Sequence, residues 1–378
     1  MSDDITPYRI DVDRSQLDDL RTRLERTRWP EAQTVTDWSQ GVPLDYLRDL
    51  CGYWATGYDW DDRQAKLNSL PQYRTVIDGL GFHFAHVRAA DPDALPLVIT
   101  HGWPGSFAEF MDVVGPLTDP ERFGGDASDA FHLVLPSLPG YGFSDKPTTP
   151  GWGVERTAKA WATLMARLGY GRYGAQGGDW GSMVTTSLAQ QDAGHLAGIH
   201  LNMVLGFPRP EDGELTESEK AALAGMEHYT KNDSGYSKQQ STRPQTLGYG
   251  LVDSPAGQCA WILEKFWSWT DTSGDPVGAL GADRILDDVM LYWLPATAAS
   301  SGRMYWESFN RPPLGPVSVP MGASVFPKEI FRASQRWAAR QFSDIRYWGE
   351  PAVGGHFAAF EQPTLFVEEV RRFFRTVR

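Results

Sequence analysis

Cysteine is scarce in this 378-residue chain: Cys51 and Cys259 are all it has. Two cysteines build neither a disulfide framework nor a thiolate metal cluster, and they fit a reducing compartment. Long apolar runs are missing too, with none near the roughly 18 residues needed to cross a bilayer. The N-terminus, Met1-Ser2-Asp3-Asp4, is acidic and polar and does not read as a signal peptide. Basic charge is in deficit, with 35 Lys and Arg against 48 Asp and Glu, a net charge of −13. That balance argues against nucleic acid or an anionic membrane as partner. Together these absences predict a soluble, cytoplasmic protein.

The most informative absence is a serine. Arg172 to Gln176 reads as a short strand and Ser182 to Gln190 as the first turns of a helix. Between them lies Gly177-Gly178-Asp179-Trp180-Gly181. Strand, Gly-x-X-x-Gly turn and helix frame a nucleophile elbow, whose glycines avoid Cβ collisions in a sharp turn. The elbow residue is usually Ser; here it is Asp179. A Ser alkoxide attacking a saturated carbon would leave an ether, a dead end. A carboxylate leaves an ester, which a His-activated water can hydrolyse. Asp179 thus points to displacement at an sp³ carbon, as in epoxides or alkyl halides. The plainer alternative is an Asp that only caps the following helix.

The hydrophobic fraction of 41% is ample for a core, and 15 Trp predict an aromatic-lined interior. Residues 1–72 read as a helical extension. Ser15 with Asp18 makes a capping-box pattern before Leu17, Leu20 and Leu24, and Pro43 fits the first position of a second helix bearing Leu44, Leu47, Cys51 and Trp54. Residues 73–205 read as alternating strand and helix, the signature of a largely parallel sheet. Strands are expected at Arg74–Ile77, Phe82–Arg88, Leu95–Thr100, His132–Leu135 and Leu196–Met203, with a helix from Val154 to Leu168. Residues 206–312 are helical and aromatic, and read as a lid. Residues 313–378 return to the sheet: a strand at Val317–Pro320, a loop at Met321–Pro327, a helix at Lys328–Trp337, a strand at Ile345–Trp348 and a final helix from Pro363 to Arg375. The expected fold is therefore an α/β-hydrolase fold with a helical lid and an N-terminal helical extension.

That fold places its base on the loop between the last strand and the last helix, where only His356 lies. Glu329, Asp344 and Glu350 all qualify by position as the acid that orients it. The Gly-rich turn His101-Gly102-Trp103-Pro104-Gly105-Ser106 follows an early strand, so the Trp103 and Trp180 amides are the expected oxyanion donors. His101 reads more simply as a structural group.

Five segments resemble the microsomal type of epoxide hydrolase. They are Arg28-Trp29-Pro30, the run from His101 to Ser106, Gly177 to Ser182, Ser241-Thr242-Arg243-Pro244, and Gly354 to Glu361. They span nearly the whole chain and are highly specific together, although the first part of the His101 run is shared with other α/β-hydrolases. The resemblance implies Asp179 as nucleophile, His356 as base and, from Phe326-Pro327-Lys328-Glu329, Glu329 as acid. It implies two lid tyrosines that bind the epoxide oxygen, Tyr236 and Tyr305 by position. It further implies a small hydrophobic epoxide and water as substrates, no cofactor or metal, and allows a homodimer. Mammalian relatives begin with a membrane anchor, which this chain is expected to lack. A haloalkane dehalogenase would use the same Asp and His, but paired lid tyrosines and the extension favour the epoxide. A non-catalytic small-molecule receptor would have little need of Asp179, Glu329 and His356 together.

Overall fold

The computed structural model describes residues 4–309 and 311–378. Among them, one sheet contains β1 (Thr6–Tyr8), β2 (Gln72–Ile77), β3 (Leu80–Val87), β4 (Leu95–Thr100), β5 (Phe131–Pro136), β6 (Tyr173–Gly177), β7 (Leu196–Leu201), β8 (Met321–Ser324) and β9 (Ile345–Gly349). Their spatial order is β1-β2-β3-β5-β4-β6-β7-β8-β9. The first four strands of that order pair antiparallel, and every pair from β5–β4 to β8–β9 is parallel. This is the α/β-hydrolase fold.

The parallel strands are apolar along their length because helices cover both faces. All six residues of β5 and of β7 are buried. The helix Pro363–Phe374 packs with Met111–Thr118, and Phe373 and Phe374 fill the space beside Gly174, Gly198 and Gly322 in the sheet. The helices Val154–Arg167 and Trp180–Gln191 pack against each other, the second also against β4, β6 and β7.

The N-terminal segment departs from a purely helical reading. β1 joins the sheet edge beside β2, and three helices follow at Arg14–Glu25, Leu44–Thr56 and Trp60–Leu67. Leu17, Leu20 and Leu24 are buried as their spacing predicts. The cap is Asp13, not Ser15: its carboxylate accepts the Ser15 N–H at 2.8 Å and the Ser15 hydroxyl at 2.6 Å. A carboxylate is well placed there because it also meets the positive end of the helix dipole.

Two expectations near the C-terminus were wrong. Val317–Pro320 is not a strand; only Val317 bridges to Phe342, and the ladder is built by Met321–Ser324, read from sequence as a loop. Pro320 has no N–H for a ladder, so pairing starts just after it. Lys328–Trp337 is not a helix, apart from Gln335–Ala338. Tertiary pairing overrides the local pattern: Lys328 bridges to Gly355, which sets Glu329 beside the His356 loop.

Between β7 and β8 the chain is helical, as its composition implies. The N-terminal helices grip this insertion. The Tyr46, Tyr53 and Tyr58 hydroxyls donate to Asp275, Asp283 and Asp287, and Arg63 pairs with Asp287. Among the described residues no helix is long and apolar enough to cross a membrane.

Asp288, in the helix Ala282–Trp293, is fully buried beside the Ser106 hydroxyl. Burial pushes its pKa up to about 8, against 3.8 for a free Asp. Between those values the unfolded chain has lost this proton and the folded chain has kept it, so stability falls as pH rises through the window. Asp288→Asn removes the penalty and should raise Tm by about 2–4 °C near neutral pH, with a smaller gain near pH 5. Thermal melts at the two pH values check this; equal gains would show that the carboxyl is not held neutral.

Candidate active site

β6 delivers the chain into a turn that few sequences could make. Asp179 has φ 49° and ψ −128°, a left-handed conformation that costs a non-glycine residue of order 1–3 kcal/mol. The flanking glycines allow the close approach. A Cβ on Gly177 would lie 2.1 Å from the Gly181 carbonyl oxygen, and one on Gly181 would lie 1.9 Å from that of Thr100. The turn sets Asp179 just before the helix Trp180–Gln191, whose first-turn amides have no partner inside the helix.

The strand end of β4 supplies the other side of the site. The Trp103 N–H donates to Asp179 Oδ1 at 2.8 Å. The remaining oxygen, Oδ2, lies 3.4 Å from His356 Nε2. On its other edge His356 Nδ1 contacts Glu329 Oε1 at 2.7 Å. Glu329 is in turn fixed by the Ile330 N–H, which donates to the same oxygen at 2.7 Å. The His356 backbone is pinned as well, its N–H donating to the Trp269 carbonyl at 2.9 Å. Asp179, His356 and Glu329, three of the residues expected from sequence, therefore form one connected line.

The other two acid candidates lie elsewhere. Asp344 pairs with Arg346 at 2.8 Å, and Glu350 accepts from the Trp348 indole at 3.3 Å. His101 is a structural group. Its Nδ1 contacts the Gly102 carbonyl and its Nε2 accepts the Leu138 N–H, while burial lowers its pKa to about 4 and keeps it neutral.

His356 behaves differently from His101 although both are buried. Burial alone would favour the neutral ring, but Glu329 and Asp179 outweigh it and hold the pKa well above the usual value. In the resting site the imidazole is thus a cation between two carboxylates. Loss of charge on either carboxylate would lower that pKa and favour the neutral ring, the form that can accept a proton.

Over Asp179 lies a cavity of about 440 Å³. Asp179, Trp180, Tyr229, Tyr236 and Tyr305 line it, together with apolar side chains that include Met183, Met203, Phe309 and Phe331. Tyr236 and Tyr305 converge here from separate helices, Gly235–Thr242 and Ala298–Ser308. The Trp103 ring stacks on Tyr236 at 4.8 Å, and the Trp180 ring meets Tyr305 edge-on at 4.7 Å. Burial, with Tyr305 and Asp179 as neighbours, raises the Tyr236 pKa well above 10; burial and Asp179 do the same to Tyr305. Both phenols are therefore protonated at neutral pH. The Tyr305 hydroxyl is buried near that of Tyr236. Among the described residues, no group of three or more His, Cys, Asp or Glu could hold a metal ion.

Tyr229 was not anticipated. Its hydroxyl lies 2.9 Å from that of Tyr236, across a π-helical turn at Tyr229–Asp233. A seven-residue spacing, two helical turns, was the available signal, but the π turn makes such spacing a poor guide.

Known proteins resemble the chain over its length. A family model for the epoxide hydrolase N terminus matches residues 5–110, and one for the alpha/beta hydrolase fold matches residues 96–245. A Stigmatella aurantiaca protein named "Putative epoxide hydrolase" is 56% identical over 379 residues, covering 99% of this chain and 86% of that one. Epoxide hydrolase 1 of Sus scrofa is 34% identical, covering 98% of this chain and 88% of its own. The crystal structure of juvenile hormone epoxide hydrolase from Bombyx mori superposes with a TM-score of 0.92 at 30% identity, over 100% of this chain and 95% of the other. Aspergillus niger epoxide hydrolase gives 0.89 at 32% identity, over 99% and 97%. With the fold, the elbow carboxylate and this full-length likeness in agreement, the chain belongs to the epoxide hydrolase family of α/β-hydrolase enzymes.

Proposed function

We propose that this enzyme opens its epoxide in two steps, through a hydroxyalkyl ester on Asp179, and releases a vicinal diol. The observation that carries this reading is the division of labour on one carboxylate. Oδ1 is engaged by the Trp103 N–H, which leaves Oδ2 to attack. Opposite it the cavity presents two protonated phenols, Tyr236 and Tyr305. Oδ2 attacks a ring carbon, the carbon–oxygen bond breaks, and its electron pair goes to the oxirane oxygen. That oxygen takes a proton from a tyrosine, a sensible donor because an alkoxide is far more basic than a phenolate.

The second step uses the charge that the first removes. Ester formation neutralises Asp179, so His356 loses one of the two carboxylates that hold its proton. It gives that proton to the tyrosinate, and the neutral imidazole, oriented by Glu329, then acts as the base on water. Water attacks the ester carbonyl, and the oxyanion forms on Oδ1, already bonded to the Trp103 amide; Trp180 at the helix start supplies the second amide. Collapse expels the diol oxygen, which recovers its proton from His356. The proton left on Asp179 returns to His356, which restores the starting imidazolium and carboxylate. The apolar cavity wall suits a small hydrophobic epoxide, and the helical segment above it acts as the lid.

A single turnover of styrene oxide with excess enzyme in oxygen-18 water tests the ester. The first diol should carry no label, and label should appear in the peptide containing Asp179. Labelled diol in the first turnover would mean that water opens the ring directly. Halide release from a haloalkane without any diol would favour a dehalogenase.

The tyrosines predict separable effects on rate and stability. Tyr305→Phe keeps the ring packed against Trp180 and removes only the hydroxyl, so it should hold stability within about 1 kcal/mol of the parent. It should also slow ester formation by about tenfold or more. Denaturant melts and stopped-flow kinetics read the two quantities; a variant that is both slower and less stable by more than that margin would contradict the assignment.

A further inference from the structure

Lys265 lies on the helix Pro255–Trp269 and is only 1% exposed. Its ammonium contacts Asp233 Oδ1 at 2.5 Å and also pairs with Glu264. These carboxylates supply the counter-charge that a buried cation needs. The same ammonium stands over the face of the Tyr236 ring, 4.7 Å from its centroid, and 5.5 Å from that of Trp269. Asp233 braces the arrangement by accepting from the Trp269 indole N–H at 2.5 Å and from the Ser268 hydroxyl at 3.1 Å.

We infer that Lys265 is a positioning residue that favours proton donation by Tyr236, holding a positive charge where the ring-opening step delivers a negative one. This rests on the proposed donor role of the lid tyrosines. In that step one negative charge leaves Asp179, which becomes a neutral ester, and arrives on the phenol that gave up its proton. The groups around Tyr236 do not welcome it. Burial opposes ionisation first, and Tyr305, Tyr229 and Asp179 oppose it further. Trp103 covers one side of the ring at 4.8 Å and Trp269 meets it at 5.1 Å, and both are uncharged. His356, the other cation near the site, lies beyond Trp269 at 4.9 Å from its ring and belongs to the Asp179 side. Lys265 is the cation set against Tyr236 itself. A cation on an aromatic face attracts the ring, and attracts it more strongly as the ring gains phenolate charge.

Proton movement and charge balance without another reactant. Tyr236 loses its proton to the oxirane oxygen in the first step and regains one from His356 before ester hydrolysis, and the Asp179 carboxyl reprotonates His356 afterwards. Lys265 stays an ammonium throughout and touches no reacting atom.

The test measures ester formation and ester hydrolysis separately by stopped-flow, across pH, in full-length Lys265→Met, Lys265→Arg and Tyr236→Phe enzymes with styrene oxide. Lys265→Met should slow ester formation about tenfold, leave ester hydrolysis unchanged, and move the alkaline limb of kcat/KM up by about one pH unit. Lys265→Arg should keep both the rate and the limb. Because Lys265→Met alone strands Asp233, the paired Lys265→Met, Asp233→Asn variant removes the ion pair as a unit and carries the same expectation. Added to Tyr236→Phe, Lys265→Met should cost nothing more in ester formation. A fall in both steps with the limb in place would make Lys265 a packing residue and overturn the inference, as would no change at all. If Tyr236→Phe itself forms ester at the parental rate, Tyr236 is not the donor and the inference falls, while a slow Tyr305→Phe would keep the donor reading on Tyr305. If Tyr236→Phe is slow while Lys265→Met is not, only the inference fails.

Discussion

A carboxylate facing an apolar cavity is expensive to keep ionised, and the site is arranged around meeting that cost for Asp179 without blocking it. One oxygen is held by a backbone N–H, and the other faces a cation at 3.4 Å, beyond the reach of a strong hydrogen bond. Glu329, behind the ring, and Asp179 together hold that proton against the cost of burial, and Glu329 is placed by an extended pairing of Lys328 with Gly355. Elbow strain, early Gly-rich turn, late loop and the final sheet edge all serve one negative charge.

Trp103 links this charge to the lid. Its amide holds Asp179, and its ring stacks on Tyr236 with an interplanar angle of 8°. Trp180 does the same on the other flank, following Asp179 directly in sequence and meeting Tyr305 with its ring. Two residues thus register Tyr236 and Tyr305 against Asp179 by packing and a backbone hydrogen bond.

Much of this was legible in the sequence. The elbow was readable because its glycines are required by contacts near 2 Å, and a carboxylate between them has a specific chemical meaning. β4, β6 and the helix Val154–Arg167 were readable because apolar runs and periodicity agree with burial there. The segment 317–337 was not, since its structure is decided by distant partners: β7 beside Met321–Ser324, and Gly355 beside Lys328. The acid stayed ambiguous from position alone for the same reason, and a family resemblance was needed to prefer Glu329. Tyr229 and Lys265 carried no motif, and only the packed lid shows what they touch.

The grip of the N-terminal helices on the insertion has a consequence for how the molecule comes apart. Tyr46, Tyr53, Tyr58 and Arg63 reach across some 230 positions of sequence to Asp275, Asp283 and Asp287, while β1 is laced into the sheet. The first segment of the chain is therefore a clasp joining sheet and insertion, and neither can loosen without releasing it. Such cross-bracing makes sheet, insertion and clasp a single cooperative unit, in which opening the insertion must break the bonds of the clasp along with its own.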